Sequence, residues 1–287
     1  MEDVFHKISR SVLVLVLLLS GAAQADTKPL QVGILPTLSP RVLLKSYEYL
    51  RHYLARELQQ PLVLGTATDF RTFHSQVMAG EYDVVVTAAH LARLAQREKG
   101  WLPIATYKTA NRAILLVSNT GMIESVDDLR EKSIASADSL ALVAIQAQQW
   151  LSEKGLKQNR DYQFIDARSF TSAVHAVLQR HAALAIVSPA SYQQLPDTLK
   201  SATRIFQILP EIPAVIWMVP PKSRIDPARL KALLLNFTTE LPEGREFFQI
   251  TGYAGIRPVT EEQMQALDKY ADEAKFLLHA PLSPTLP

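Results

Sequence analysis

The chain has 287 residues, 48% of them hydrophobic and 20% charged, a composition that fits a globular protein able to bury a large core. Its 30 basic and 28 acidic residues leave a formal charge of +2 and are interspersed, which excludes a polyanion-binding stripe and with it nucleic acid as the expected partner. With no cysteine there is no disulfide, no thiolate chemistry and no cysteine to carry a lipid anchor.

The first 25 residues differ in kind from the rest. His6, Lys7 and Arg10 precede the apolar run Val12–Leu19, Ser20-Gly21 breaks it, and Ala23-Gln24-Ala25 fits a small-x-small cleavage pattern. This reads as a secretory signal peptide (1–25) cut between Ala25 and Asp26. The run is well short of the ~20 residues that span a bilayer, so an anchor is not expected. The mature chain is expected to be periplasmic, soluble and not a lipoprotein.

The mature chain then alternates strand and helix. Leu30 to Leu35 reads as a strand stopped by Pro36. Residues 41–58 repeat Leu43, Tyr47, Leu50, Leu54 and Leu58 at helical spacing. Pro61 to Thr66 is a second strand. Asp69 caps a helix bearing Phe70, Phe73 and Val77, which Gly80 ends. Val84-Val85-Val86 is too uniformly apolar for a half-exposed strand and reads as one buried on both faces, as in a parallel α/β sheet. Leu102 to Tyr107 and Ala113 to Val117 follow as strands without a long helix between them.

Further along, a short capped helix is expected at Ser125–Leu129 and a strand at Ser133–Ser136. A helix follows from about Leu140 to Lys154, then a strand near Tyr162–Ile165, a helix from about Phe170 to Arg180, and a buried strand over 183–187. Residues 203–209 and 214–219 are again strand-like. Asp226-Pro227 opens one late helix, and Thr260 with Gln263 makes a capping box for another. After His279 a Pro-rich tail is expected to be loosely attached.

The order contains an echo of itself. Phe73…Val77 before Val84-Val85-Val86-Thr87 is matched by Phe170…Val174 before Leu184-Ala185-Ile186-Val187-Ser188. Two such strand-to-helix edges, with strands near 105–117 and 203–219 free to cross between them, predict two α/β lobes facing across a cleft. In open α/β sheets ligands sit at the carboxyl ends of strands, where helix N-termini offer backbone N–H groups.

These stretches, in this order, resemble the type 2 periplasmic substrate-binding proteins, and within them the phosphonate/phosphite-binding (PhnD-like) family. The resemblance is carried by Val32-Gly33-Ile34-Leu35-Pro36 and by the first helix with Tyr47. It continues through Ala67-Thr68-Asp69-Phe70, Gly80-Glu81-Tyr82-Asp83-Val84, Ser125-Val126-Asp127-Asp128-Leu129-Arg130 and the segment 170–187. It implies a two-lobed fold joined by two crossover strands that closes on its ligand like a hinge. The corresponding division is 26–112 with 215–287 in lobe 1, and 113–214 in lobe 2. The family's Ser/Thr-rich turn falls on Asp138-Ser139-Leu140-Ala141-Leu142, where only Ser139 keeps a hydroxyl. Its His-Glu pair falls on Phe170-Thr171, its next acidic residue on Ala183 or Ser188, and its first-lobe aromatic is kept as Phe70.

The candidate ligand residues are therefore Thr87, Ala88 and His90 at one edge, Ser139 and Leu140 at the other, with Ser188, Phe70 and Tyr47 around them. Each has a plainer reading: Thr87 and Ser139 as caps of their own helices, His90 as a helix-surface residue, and Tyr47, Phe70 and Trp217 as core. Asp138 beside Ser139 would repel an anion if it faced the cleft, so either it points away or the ligand brings a cation or a hydrogen-bond donor. No Gly-x-Ser-x-Gly elbow, His-Glu-x-x-His helix, Walker loop or Gly-x-Gly-x-x-Gly turn is present, and the seven histidines lack metal-ligand spacing. Capture without chemistry is expected, of a small oxyanion-type ligand (phosphonate-, phosphite- or phosphate-like), with no cofactor or metal. A monomer delivering to an ABC permease is the first reading; presentation to a membrane sensor such as a histidine kinase is the alternative.

Overall fold

The computed structural model describes residues 28–167 and 169–280. The expected signal peptide and its cleavage site, and the tail beyond Ala280, lie outside the described residues.

The described residues start with β1 (Leu30–Ile34), α1 (Pro40–Leu58), β2 (Leu62–Gly65), α2 (Phe70–Ala79), β3 (Val84–Ala88), α3 (Ala89–Lys99) and β4 (Leu102–Tyr107). α1 starts on Pro40, whose fixed φ suits a first helical turn, and buries Leu43, Tyr47, Leu50 and Leu54 along one stripe. α2 is capped by the Asp69 carboxylate, which accepts the Thr72 N–H at 2.7 Å, and is closed by Gly80 at φ 75°. β3 is buried along its whole length, as its unbroken apolar run requires.

β1, β2 and β3 pair in parallel. The Tyr82 ring packs against the face of β1 and β2. Gly33 and Gly65 stand opposite each other on β1 and β2, and a Cβ on Gly33 would come within 2.8 Å of the Tyr82 ring. Gly33→Ala should force that ring out of place, weaken the Tyr82 hydroxyl's 2.8 Å bond to Gln76 Oε1, and cost about 1–3 kcal/mol in urea unfolding.

The chain then leaves this sheet through β5 (Ala110–Asn111). It builds a second sheet from β6 (Ile114–Ser118), β7 (Lys132–Ser136), β8 (Tyr162–Asp166), β9 (Leu184–Val187) and β10 (Thr203–Ile208), in the order β10-β6-β9-β7-β8. α4 (Leu142–Glu153) and α5 (Phe170–Leu178) cover this sheet, and the short α6 (Pro189–Gln194) and α7 (Asp197–Ala202) follow β9. The return passes through β11 (Ile212–Pro213), which pairs antiparallel with β5. β12 (Val215–Val219) then inserts between β3 and β4 to complete a six-stranded sheet, β13-β4-β12-β3-β1-β2. The C-terminal elements are α8 (Pro227–Asn236), α9 (Pro242–Thr251), β13 (Ile256–Pro258), α10 (Glu261–Gln265) and α11 (Asp268–His279). The fold is thus α/β and two-lobed, with two crossover strands zipped into a short ribbon between the lobes.

Most expected elements stand within a residue or two of their predicted bounds, and the Thr260–Gln263 capping box is made in both directions. Three differences are informative. Ser125–Leu129 contracts to a single 3-10 turn, Asp127–Leu129, because the Asp128 carboxylate accepts the Glu124 and Ser125 N–H groups instead of leaving a serine cap. The helix expected from Leu140 starts at Leu142, since Leu140 and Ala141 are held in a turn by Asp138. α9 has no counterpart in the predicted elements at all.

Candidate functional site

The two parallel sets of strands aim their carboxyl ends at each other. From the first lobe come the loops after β1 (Pro36 to Ser39) and β2 (Ala67 to Asp69); from the second come those after β7 and β8 and the helix after β9. Between them lies a cleft of about 680 Å³. It is lined by Thr37, Ser39, Thr68, Asp69 and Phe70 on one side and by Asp138, Ala141, Ser169, Phe170, Thr171, Ser191 and Gln194 on the other. α1, α2, α4 and α5 all begin at this rim, so several first-turn N–H groups and helix dipoles converge there. Phe70 packs against the cores of both lobes, and Phe170 stands across the cleft against the core on both faces of the second sheet.

The charged groups among the described residues of the rim are the carboxylates of Asp69 and Asp138. Among the described residues that line the cleft there is no Lys, Arg or His. Burial pushes Asp69 upward, but hydrogen bonds from the Thr72 N–H and from the Thr68 and Thr72 hydroxyls bring it below the usual range. Asp138 faces the cleft and accepts the Leu140 N–H at 2.7 Å; burial raises its pKa despite that bond, and the charge on Asp69 adds to the rise. Behind it, burial and then the charge of Asp138 push Asp166 up to about 6, against hydrogen bonds from Ser139. The Ser139 hydroxyl reaches Asp166 Oδ2 at 3.4 Å. Arg71 acts on both aspartates only at a distance, because its guanidinium donates to the Leu277 and Leu278 carbonyls at the end of α11.

A folded pKa near 6, above the unfolded value near 4, means that Asp166 gives stability that is full below pH ~4 and lost as pH rises through ~6. The chain should therefore lose stability relative to an Asp166→Asn variant between pH 4.5 and 7.5. Urea midpoints of the two proteins at both pH values check this; a constant difference would contradict it.

The sequence candidates divide into four groups, the last being Tyr47 alone. Phe70 lines the cleft, and Ser188 sits just beneath it, capping α6 by accepting the Ser191 N–H at 3.2 Å. Ser139 and Leu140 lie in the turn that presents Asp138, both buried, with Ser139 turned toward Asp166. Thr87, Ala88 and His90 are buried at the end of β3. Thr87 caps nothing, its hydroxyl has no partner among the described residues, and Ala88 takes the cap position without a side-chain bond. His90 is fully buried, and its Nε2–H donates to the Leu140 carbonyl of the other lobe at 3.0 Å.

Tyr47 lies beside the cleft in a separate small cavity of about 70 Å³, with Ser46, Thr251 and Tyr253; Thr37, Leu38 and Gln194 line both spaces. Trp217 is core, 6.5 Å from Tyr47 between ring centres. Among the lining residues that the sequence reading passed over, Thr37, Ser39 and Ser169 share one signal. Each is a hydroxyl within a few residues of a strand's carboxyl end and at or just before a helix start.

Among the described residues no helix is long and apolar enough to cross a membrane, and no group of three His, Asp or Glu could hold a metal ion. The fold is shared with solved structures at low identity. XAC2383 from Xanthomonas citri, bound to chloride ion, superposes with a TM-score of 0.75 at 18% identity, covering 86% of this chain and 99% of that one. PhnD1 from Prochlorococcus marinus, in complex with methylphosphonate, gives 0.74 at 12% identity, with 86% and 98% covered. The periplasmic aliphatic sulphonate binding protein SsuA from Escherichia coli gives 0.62 at 15%, with 90% and 96% covered. No curated protein matches the chain. The family model for the phosphonate periplasmic substrate-binding proteins of ABC transporters matches residues 32–264, nearly the whole of the two lobes and their interlobe ribbon. The chain belongs to that family of ABC-transporter substrate-binding proteins.

Proposed function

We propose that this substrate-binding protein captures, as a monomer, a small ligand that carries an oxyanion at one end and a cationic or N–H-donating group at the other, and passes it to an ABC permease. The observation behind this is the lining of the cleft: helix N-termini and hydroxyls on both walls, with the Asp69 and Asp138 carboxylates facing in. The helix starts supply the oxyanion half, at ~0.3–1 kcal/mol each. Two unit charges ~6 Å apart at an effective dielectric near 20 interact by about 3 kcal/mol. A bare dianion beside ionised carboxylates would therefore lose more than one or two helix starts return. A ligand whose own cation meets the carboxylates turns that repulsion into attraction.

Methylphosphonate and chloride are named for two proteins of this fold, which supports the anionic end. Titration calorimetry at pH 7 with 2-aminoethylphosphonate and with ethylphosphonate tests the other end, since the two differ only in the amine. The amino compound should bind at least about tenfold tighter. Equal binding, or a preference for ethylphosphonate, would remove the cation from the proposal.

A further inference from the structure

The lobes touch at two edges of the cleft, and the two edges are built differently. At one edge α1 faces α6 across a small cavity to which the second lobe contributes only Gln194, and beside it Thr37, Leu38 and Ile250 of the first lobe are exposed. At the other edge α4 of the second lobe is sunk into the first. Leu142 and Ile145 of α4 belong to the first lobe's core, in one cluster with β1, β3 and α3. Beside them the fully buried imidazole of His90 donates from Nε2 to the Leu140 carbonyl, while its Nδ1 has no partner among the described residues. Burial lowers the pKa of His90 to about 3, only partly offset by that bond and reinforced by neighbouring His74, so the ring is a neutral Nε2–H donor.

The same helix is tied to the ribbon between the lobes. Gln146, 4% exposed, accepts the Ala113 N–H at 2.7 Å and donates to the Pro210 carbonyl at 2.8 Å, one residue from each crossing. Further along α4, Gln149 donates to the Lys269 carbonyl of α11 at 2.9 Å. Leu140 is thus held at both of its flanking peptide groups, its carbonyl by His90 of the first lobe and its N–H by the Asp138 carboxylate that faces the cleft.

We infer that α4 is a third pivot of the hinge, and that His90 and Gln146 are positioning residues that keep this edge shut while the cleft opens along the α1–α6 edge. Parting the α4 edge would expose Leu142 and Ile145 and strand the Leu140 carbonyl; parting the other edge exposes little that is not already wet. His90 acts on the ligand through the Leu140 peptide, by fixing where Asp138 stands. The inference adds to the proposed capture of a ligand only the hinge closure that the family resemblance implies, and its test needs no ligand.

Because the chain has no cysteine, paired cysteines take spin labels without background. One pair, Lys45→Cys with Thr198→Cys, reports the α1–α6 edge; the other, Lys99→Cys with Lys154→Cys, reports the α4 edge; all four sites are exposed. Electron–electron distance measurements on the free protein should give a broad distribution for the first pair and a single narrow one for the second. His90→Leu should roughly double the width at the α4 edge, and His90→Gln, which keeps an N–H donor, should restore it. Equal breadth at the two edges of the parent, or no change in His90→Leu, would overturn the inference. Should His90→Leu fail to fold, nitrogen-15 NMR of the unmutated protein decides. A slowly exchanging Nε2–H on His90 is expected, and an Nδ1–H or doubly protonated ring contradicts the pivot.

Discussion

Phe247→Ala is expected to cost about 3–5 kcal/mol of first-lobe stability, the range for deleting a buried phenylalanine that its surroundings cannot collapse to replace. Phe247 is fully buried in α9 and meets Tyr47 edge-on at 5.2 Å, Phe248 at 5.2 Å and Phe237 at 5.6 Å between ring centres. Tyr107 and Tyr253, stacked on each other at 3.8 Å, close the other side. Five rings around a sixth cannot all move inward, so most of the cavity would persist. Tyr47 also borders the small cavity beside the cleft, so its shift would reach the ligand space. Urea unfolding of the parent and the variant measures the loss; a cost below about 1 kcal/mol would mean that this cluster is not the packed centre of the lobe.

The same helix shows what could not be read from sequence. The Asp69 cap, the Gly80 stop and the Thr260–Gln263 box were legible because each is a bond between residues a few positions apart, encoded by the pattern itself. α9 carries a proline at its first position and a Gly252 stop at φ 72°, but no side-chain cap at its start to mark it. Its N-cap is Leu241, with no side-chain bond, and Gly244 sits within its span, where sequence alone reads as a breaker. The structure gives the reason for that glycine: a Cβ there would stand 1.9 Å from the Thr238 carbonyl oxygen.

At the site the limit is the same. The strand-to-helix edges and the awkward placing of Asp138 were visible. The bonds that give the edges their roles join Ser139 to Asp166 across neighbouring loops of the second lobe and His90 to Leu140 between the lobes, and neither pair is close in sequence. Gln146 carried no signal, since a glutamine in a helix is ordinary until the ribbon is laid against it.

Asp138→Asn is expected to reverse the cleft's preference. At pH 7 it should weaken 2-aminoethylphosphonate by roughly 10–100-fold, the ~1.5–3 kcal/mol of a hydrogen bond to a charged partner, while ethylphosphonate gains. The pH dependence follows from the raised pKa values. A ligand cation favours the ionised carboxylates, so binding expels protons from Asp138 and from Asp166, which titrates at about 6. Affinity of the parent for the amino compound should therefore rise from pH 5 to pH 7, and the Asn variant should show a flatter profile. An anion without a cation would do the opposite, taking up protons and binding better toward pH 5. Calorimetry at three pH values separates the two, and a parent affinity for the amino compound that rises toward pH 5 would contradict the assignment.

The most direct measurement is a crystal structure of the protein purified from its natural compartment without refolding, with native mass spectrometry of the same preparation to identify what it carries. A small molecule is expected between Ser39 and Asp69 on one wall and Asp138 and Thr171 on the other, its oxyanion at the helix starts and a nitrogen within hydrogen-bond distance of a carboxylate. A ligand with no cationic or N–H-bearing group, or one seated outside this cleft, would contradict the account.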